Sequence, residues 1–182
     1  MDTRRGFLKK SSLLATAGML SSLPTMDLLA EIKNKKIRVG AIGIKGMGWS
    51  NLQALMKHPD VICTAICDID QQVLQERGAQ LQGLGAKPKV YGDYQDLLKD
   101  KNVDAVMIGT PDHWHCLQMI DAVKAGKHVY VEKPLGNSIA ECDAMLAAKN
   151  KYQSIVQVGQ WQRSQKHFTD AIAFVHSGKL GK

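Results

Sequence analysis

The chain has 182 residues, 45% of them hydrophobic and 23% charged, an ordinary globular composition with room for one real core. Of the formal net charge of +7, Arg4, Arg5, Lys9 and Lys10 against Asp2 and Asp27 place +2 in the first thirty residues and leave +5 on the rest. The remaining lysines and arginines are scattered among acids, with no basic run and no aromatic interleaving, which argues against a nucleic-acid partner.

Thr3-Arg4-Arg5-Gly6-Phe7-Leu8-Lys9 is a twin-arginine pattern. The modestly apolar segment after it, Ser11 to Leu23, is too short and too rich in Ser, Gly and Ala for a membrane span. Residues 1–30 therefore read as a signal for export by the twin-arginine machinery to the periplasm; the plainer alternative is a basic amphipathic helix. Leu28-Leu29-Ala30 is the best cleavage point, and Cys63 as the first cysteine excludes a lipoprotein anchor near the signal. This route carries proteins already folded, typically with a cofactor inside. An oxidising compartment permits bridges among Cys63, Cys67, Cys116 and Cys142. Yet their spacing has no C-x-x-C, and they would be packed before export. Cys63 and Cys67 fall on one face of a predicted strand, where cysteine acts as a small hydrophobe.

Strands and helices then alternate. Ile37–Ile42 reads as a strand, Trp49–Lys57 as a helix ended by His58-Pro59, and Val61–Cys67 as the second strand. A polar helix runs from Gln71 to about Leu81, followed by a short strand at Lys89–Tyr91 and a short helix at Tyr94–Lys99. Val103–Gly109 is a near-continuous apolar run, the mark of a strand buried on both faces. His113–Lys124 reads as a helix ending at Gly126, and His128–Val131 as the fifth strand. Ser138-Ile-Ala-Glu141 is a capping box for a helix reaching about Asn150. Ser154–Val158 is the sixth strand, and Gln165–His176 the last helix, closed by Gly178. This order predicts an α/β fold, a doubly wound parallel sheet with helices on both faces and ligands beyond the carboxyl ends of the strands.

The first turn carries the chemistry. Gly43, Gly46 and Gly48, with Lys45 and Met47 between them, lie between the first strand and the first helix. Asp68 ends the second strand, 68 − 43 = 25 positions after Gly43. Strand, glycine turn, helix, strand and acid together suit a dinucleotide. Glycine permits the tight turn and close approach of backbone N–H groups to a pyrophosphate, the helix N-terminus favours its charge, and the acid accepts from the ribose hydroxyls. A strict G-x-G-x-x-G needs glycine where Lys45 stands, which leaves the path of the loop open and adds a cation near the phosphates. The bland alternative is an ordinary glycine turn.

The other strand ends add polar and aromatic residues: Thr110-Pro111-Asp112-His113-Trp114-His115, then Glu132-Lys133-Pro134, then Gln160-Trp161-Gln162-Arg163. His113-x-His115 reads either as a metal pair, for which no third ligand is suitably spaced, or as a helix start with a capping His or Asp112 and a packed Trp114. Lys133 reads either as a solvent-facing lysine beside a turn proline or as a cleft residue. Beside a positively charged nicotinamide an ammonium gives up its proton more readily, which suits acid/base work.

V-G-A-I-G-x-K-G-M-G, C-D-I-D, G-T-P-D-H-W-H, V-E-K-P-L and V-G-Q-W-Q-R-S occur in that order, and together they resemble the N-terminal half of the Gfo/Idh/MocA oxidoreductase family. The resemblance runs from Lys36 to the end. It implies a Rossmann domain for NAD or NADP over about residues 31–163, with Lys133 matching the family's catalytic lysine. Thr110, Pro111, His113 and His115 match the loop lining the nicotinamide side, and Glu132 stands with Lys133. It also implies hydride transfer at a ring carbon of a sugar, cyclitol or derivative. Asp68 favours NAD by repelling a 2′-phosphate, with Lys45 as a counterweight. Free NAD is not expected outside the cytoplasm, so a cofactor that stays bound and is recycled by a second substrate is expected. Similar exported proteins suggest the alternative of redox-assisted glycoside cleavage. Residues 164–182 read as a helix leading toward the family's antiparallel second domain, which supplies most substrate contacts and a further catalytic histidine. The chain thus reads as a fragment or truncated frame, and taken alone as a nucleotide-binding domain without turnover. The resemblance assigns it no metal and no oligomer interface.

Overall fold

The structure, a computed structural model, describes residues 36–181. The twin-arginine segment at 1–30 lies outside them. The described chain alternates β1 (Ile37–Ile42), α1 (Gly46–Met56), β2 (Val61–Cys67), α2 (Gln71–Gly83), β3 (Lys89–Tyr91) and α3 (Tyr94–Leu98). It continues with β4 (Ala105–Ile108), α4 (His115–Lys124), β5 (His128–Glu132), α5 (Ile139–Tyr152), β6 (Val156–Gly159) and α6 (Lys166–His176). Short 3-10 turns at Asp112–Trp114 and Trp161–Ser164 precede α4 and α6. All six strands pair in parallel in the order β3-β2-β1-β4-β5-β6. The order reverses between β1 and β4, and a ligand crevice opens beyond the carboxyl ends at that point.

Both faces of the sheet are covered. Met107 and Ile108 are adjacent in β4 and fully buried, Met107 among Leu52, Ile66 and Leu74 on one face and Ile108 among Leu97, Met119 and Val131 on the other. Each such side chain contributes about 1.5–3 kcal/mol on burial. This explains the unbroken apolar run that β4 shows in sequence.

The sequence placed Cys63 and Cys67 on one face of β2; they lie on opposite faces. Val39 of β1 pairs with Cys63 but Gly40 pairs with Ala65, so Thr64 is an extra residue in β2. One inserted residue reverses the alternation, and Cys63 packs in the cluster with Leu52 while Cys67 packs in the cluster with Leu97. The Thr64 hydroxyl, turned outward, donates to the Asn102 carbonyl at 2.8 Å.

Local signals fix most ends. Asp70 caps α2 by accepting from the Gln72 and Val73 N–H groups at 3.0 and 3.3 Å, and Asp93 caps α3 through Gln95 at 2.8 Å. Ser138 accepts from the Glu141 N–H at 3.2 Å, but the Glu141 carboxylate reaches one residue past Ser138, to the Asn137 N–H at 2.6 Å. β4 is shorter than its apolar run because the Val103 N–H turns back to the Asp100 carbonyl. β6 begins at Val156 because Gln153, with φ of 53°, ends α5, and the Ser154 N–H bonds back to Lys149. The first helix starts at Gly46 rather than Trp49, which draws Gly46, Met47 and Gly48 into its opening turn. Among the described residues no helix is long and apolar enough to cross a membrane.

Candidate dinucleotide site

The loops at the carboxyl ends of β1, β2, β4 and β5 are tied to one another. The Gly43 N–H donates to the Cys67 carbonyl at 2.9 Å and the Gly109 N–H to the Ile42 carbonyl at 2.8 Å, extending the ladders past the strands. A Cβ on Gly48 would collide with the Gly43 carbonyl, and one on Gly109 with the Gly48 backbone. Helix α1 thus starts in direct backbone contact with the ends of β1 and β4. Gly43 turns with φ of 76°, and a Cβ there would lie 2.6 Å from the Thr110 nitrogen.

The opening of α1 is free of protein acceptors from side chains: no side chain caps it and no acid lies in its first turn. Nothing stands within 4 Å of where a Gly46 Cβ would be. An uncapped helix N-terminus beside a bare glycine offers N–H donors and space to a diphosphate. Asp68 is half-buried at the end of β2, with Oδ2 accepting from the Ile44 N–H at 2.9 Å and Oδ1 from the Asp70 N–H at 3.1 Å. Each carboxylate oxygen keeps a second lone pair for a ribose hydroxyl. Lys45 adopts extended backbone, and its exposed ammonium lies 4.0 Å from Asp70. The side chain that replaces a glycine therefore points out of the loop, toward the start of α2. These features fit a dinucleotide such as NAD.

The remaining sequence candidates divide by exposure. Met47, Pro111, His113 and Lys133 are exposed at this edge, and Thr110 is half-buried with its hydroxyl donating to Gln118 at 2.6 Å. His113 lies 3.7 Å from Asp112, and Trp114, expected to pack, is 42% exposed. His115 is 1% exposed. Its Nδ1 lies 2.7 Å from the Pro134 carbonyl and its Nε2 2.8 Å from the Thr110 carbonyl. The ring therefore clips the Thr110 loop to the Glu132-Lys133-Pro134 loop, and both nitrogens face carbonyl oxygens rather than a ligand. Among the described residues no group of three or more His, Cys, Asp or Glu side chains is gathered for a metal. The Lys133–Pro134 peptide is cis.

Glu132 was a candidate from sequence, but its surroundings were not legible there. Glu132 is 4% exposed, with both carboxylate oxygens lacking a hydrogen-bond partner among the described residues. It lies over Gly159, where a Cβ would be 2.6 Å from Glu132 Oε1 and 2.7 Å from the Tyr130 hydroxyl. Parallel pairing of Glu132 with Gly159 produces this proximity, and no local motif signals it. Burial and the Glu132 charge push the Tyr130 phenol above its ordinary range. Near Asp68, burial and then the Asp68 charge push the Cys67 thiol up to about 12, so it stays protonated and unreactive at neutral pH.

Comparison with known proteins agrees with this geometry. Residues 37–160 match the Gfo/Idh/MocA oxidoreductase family, NAD-binding Rossmann fold. A myo-inositol 2-dehydrogenase of Thermotoga maritima is 33% identical over 146 residues, covering 80% of this chain and 42% of that protein. A glycosyl hydrolase family 109 protein of Shewanella pealeana is 34% identical over 161 residues, covering 76% of this chain and 35% of that one. Among solved structures, myo-inositol 2-dehydrogenase from Lactobacillus plantarum superposes with a TM-score of 0.73 at 30% identity, over 81% of this chain and 43% of its own. Scyllo-inositol dehydrogenase from Lactobacillus casei, solved with NAD(H) and scyllo-inositol bound, gives 0.72 at 25% identity, over 81% and 43%. The chain spans less than half the length of these relatives. With sheet order, glycine turn and Asp68 in place, the match over residues 37–160 shows that the chain belongs to the Gfo/Idh/MocA oxidoreductase family and carries its NAD-binding Rossmann domain.

Proposed function

We propose that this chain is the cofactor-binding part of an exported NAD-dependent oxidoreductase acting on a ring CH–OH of a sugar, cyclitol or derivative. The observation that carries the reading is the position of Lys133. It is exposed at the end of β5, on the same edge as the glycine turn and Asp68, and its loop is clipped by His115 to the loop after β4. Inositol dehydrogenases among the relatives support the substrate class. In this reading residues 31–163 form the nucleotide domain, and α6 within 164–182 leads to a substrate domain. The twin-arginine pattern at Arg4-Arg5 supports export.

When bound, NAD supplies the hydride acceptor. The α1 opening holds the diphosphate and Asp68 holds the adenosine ribose. Lys133 orients the substrate hydroxyl and relays its proton. The test uses the protein produced from its natural locus, screened with cyclitols and sugars for NAD reduction. Lys133→Met is expected to lower kcat by about 10²–10⁴-fold, the usual share of a positioned acid/base, and to lower it far more than NAD affinity. A variant with undiminished kcat removes Lys133 from the chemistry.

The glycosyl hydrolase family 109 relatives favour a second reading. In that reading oxidation of a hydroxyl next to a glycosidic bond would acidify a neighbouring C–H, and elimination would expel the leaving group. Water would add across the double bond left behind, and return of the hydride to the ketone would leave the cofactor oxidised again. Sugar release from an aryl glycoside that requires NAD but accumulates no NADH selects this reading over a plain dehydrogenase.

A further inference from the structure

We propose that Lys45 is a specificity-determining residue for the adenosine ribose, and that it admits a dinucleotide carrying a 2′-phosphate, NADP, alongside NAD. The inference rests on the dinucleotide reading of this site and concerns the edge that Asp68 alone would close to an anion.

The cation is held where the ribose belongs. In a strand–turn–helix–strand–acid unit the adenosine ribose lies between the turn after the first strand and the acid after the second. Here those two segments are cross-linked. The Ile44 N–H donates to Asp68 Oδ2 at 2.9 Å, and one residue further along the same turn the Lys45 ammonium lies 4.0 Å from Asp70 Oδ2. Asp70 is committed elsewhere through its other oxygen, which caps α2 by accepting from Gln72 and Val73. Asp70 is therefore a fixed post, and Lys45 rests against its free oxygen.

The pairing is loose enough to yield. The Lys45 and Asp70 side chains are 77% and 45% exposed, and an exposed ion pair at this separation is screened and weak. A phosphate dianion offers the ammonium more charge and three acceptor oxygens, so Lys45 can exchange Asp70 for it by rotating its own side chain. Asp68 is also a softened opponent, because both of its oxygens already accept backbone N–H groups. Arg77, the one Lys or Arg of α2, is occupied: it stacks over the Trp49 ring at 4.7 Å and donates to Gln80 at 2.8 Å. The task of meeting a 2′-phosphate falls to Lys45.

The experiment measures dissociation constants of NAD and NADP by calorimetry for the wild-type chain, Lys45→Ala and Lys45→Arg. Wild type is expected to bind both dinucleotides. Lys45→Ala is expected to shift the NADP-to-NAD affinity ratio against NADP by about five- to tenfold, the size of one partly screened charge contact, and Lys45→Arg to restore it. Raising the salt concentration should lower the ratio more in wild type than in Lys45→Ala, where only the repulsion from Asp68 is left to screen. A wild type that binds NAD but not NADP overturns the proposal, as does an unchanged ratio in Lys45→Ala. If wild type binds neither, the dinucleotide reading itself fails along with it.

Discussion

Gly46 and Gly48 stand two positions apart in the opening turn of α1 and meet different constraints. Around Gly46 there is open space, and what a side chain would strain is its backbone, at φ of 50°. A residue with a Cβ pays roughly 1–2 kcal/mol in that region. At Gly48 the backbone φ is unexceptional, but a Cβ would drive into the Gly43 carbonyl and come within 3.3 Å of the Gly109 Cα. Relief would require moving β1 and β4 away from α1, so the cost lies at or above the upper end of the roughly 1–3 kcal/mol typical of overpacking. Urea denaturation of Gly46→Ala and Gly48→Ala is expected to show the second as clearly the less stable. Equal losses would mean that α1 can shift off the sheet edge. The same contrast explains why Lys45 is tolerated in a glycine motif: its backbone is extended and its side chain leaves the loop toward Asp70.

Among the elements, α4 is tied to the candidate site by Gln118, which accepts from the Thr110 hydroxyl, and by the His115 ring. His115 opens this helix and spans the Thr110 and Pro134 carbonyls, joining the loop after β4 to the loop after β5. A neutral imidazole donates to one of the two carbonyls and an imidazolium to both. His115→Ala removes the ring's contacts with both carbonyls and leaves a buried hole. It is expected to cost about 2–4 kcal/mol and to lower hydrogen-exchange protection first in residues 110–115 and 132–136. A uniform loss of protection across the sheet would mean the ring is ordinary packing instead. The contrast shows where sequence reading stops. The order and type of the elements were legible, because β4 is apolar on consecutive positions and Ser138 with Glu141 advertises a helix start. Asp68 was legible from its distance to Gly43. The clip by His115 was not, because its two acceptors are 5 and 19 positions away along the chain and meet only through parallel pairing of β4 and β5. The face reversal in β2 was hidden for the same reason: the extra residue Thr64 is defined only by what β1 pairs with.

At the scale of the molecule the two ends of the sheet are finished differently. At the amino ends of the strands, Arg38 grips Asp104 at 2.6 and 2.9 Å, and the buried Lys127 ammonium donates to the Asp100 and Val103 carbonyls at 2.8 and 2.7 Å. At the carboxyl ends lie the uncapped start of α1, the loosely paired Lys45 and the Glu132 carboxylate, which has no hydrogen-bond partner among the described residues. One end closes the fold with paired polar groups, and the other leaves its polar groups loosely paired or, among the described residues, without a partner. The core between them sets an alkaline limit. Burial pushes the Cys63 thiol up to about 11 and, with Asp68, the Cys67 thiol up to about 12, from an ordinary value of 9.0. Above pH 9 the unfolded chain releases these protons while the folded chain keeps them. The thiols' contribution to stability is therefore complete below about pH 9 and is lost as pH rises through the folded values, by at most about 1.4 kcal/mol per pH unit for each thiol. Urea midpoints between pH 8 and pH 11 should fall less steeply for the Cys63→Ala, Cys67→Ala double variant than for wild type, whatever its stability at pH 8. Parallel slopes would show that the thiolates form without unfolding, and that the β2 bulge opens enough to let water reach them.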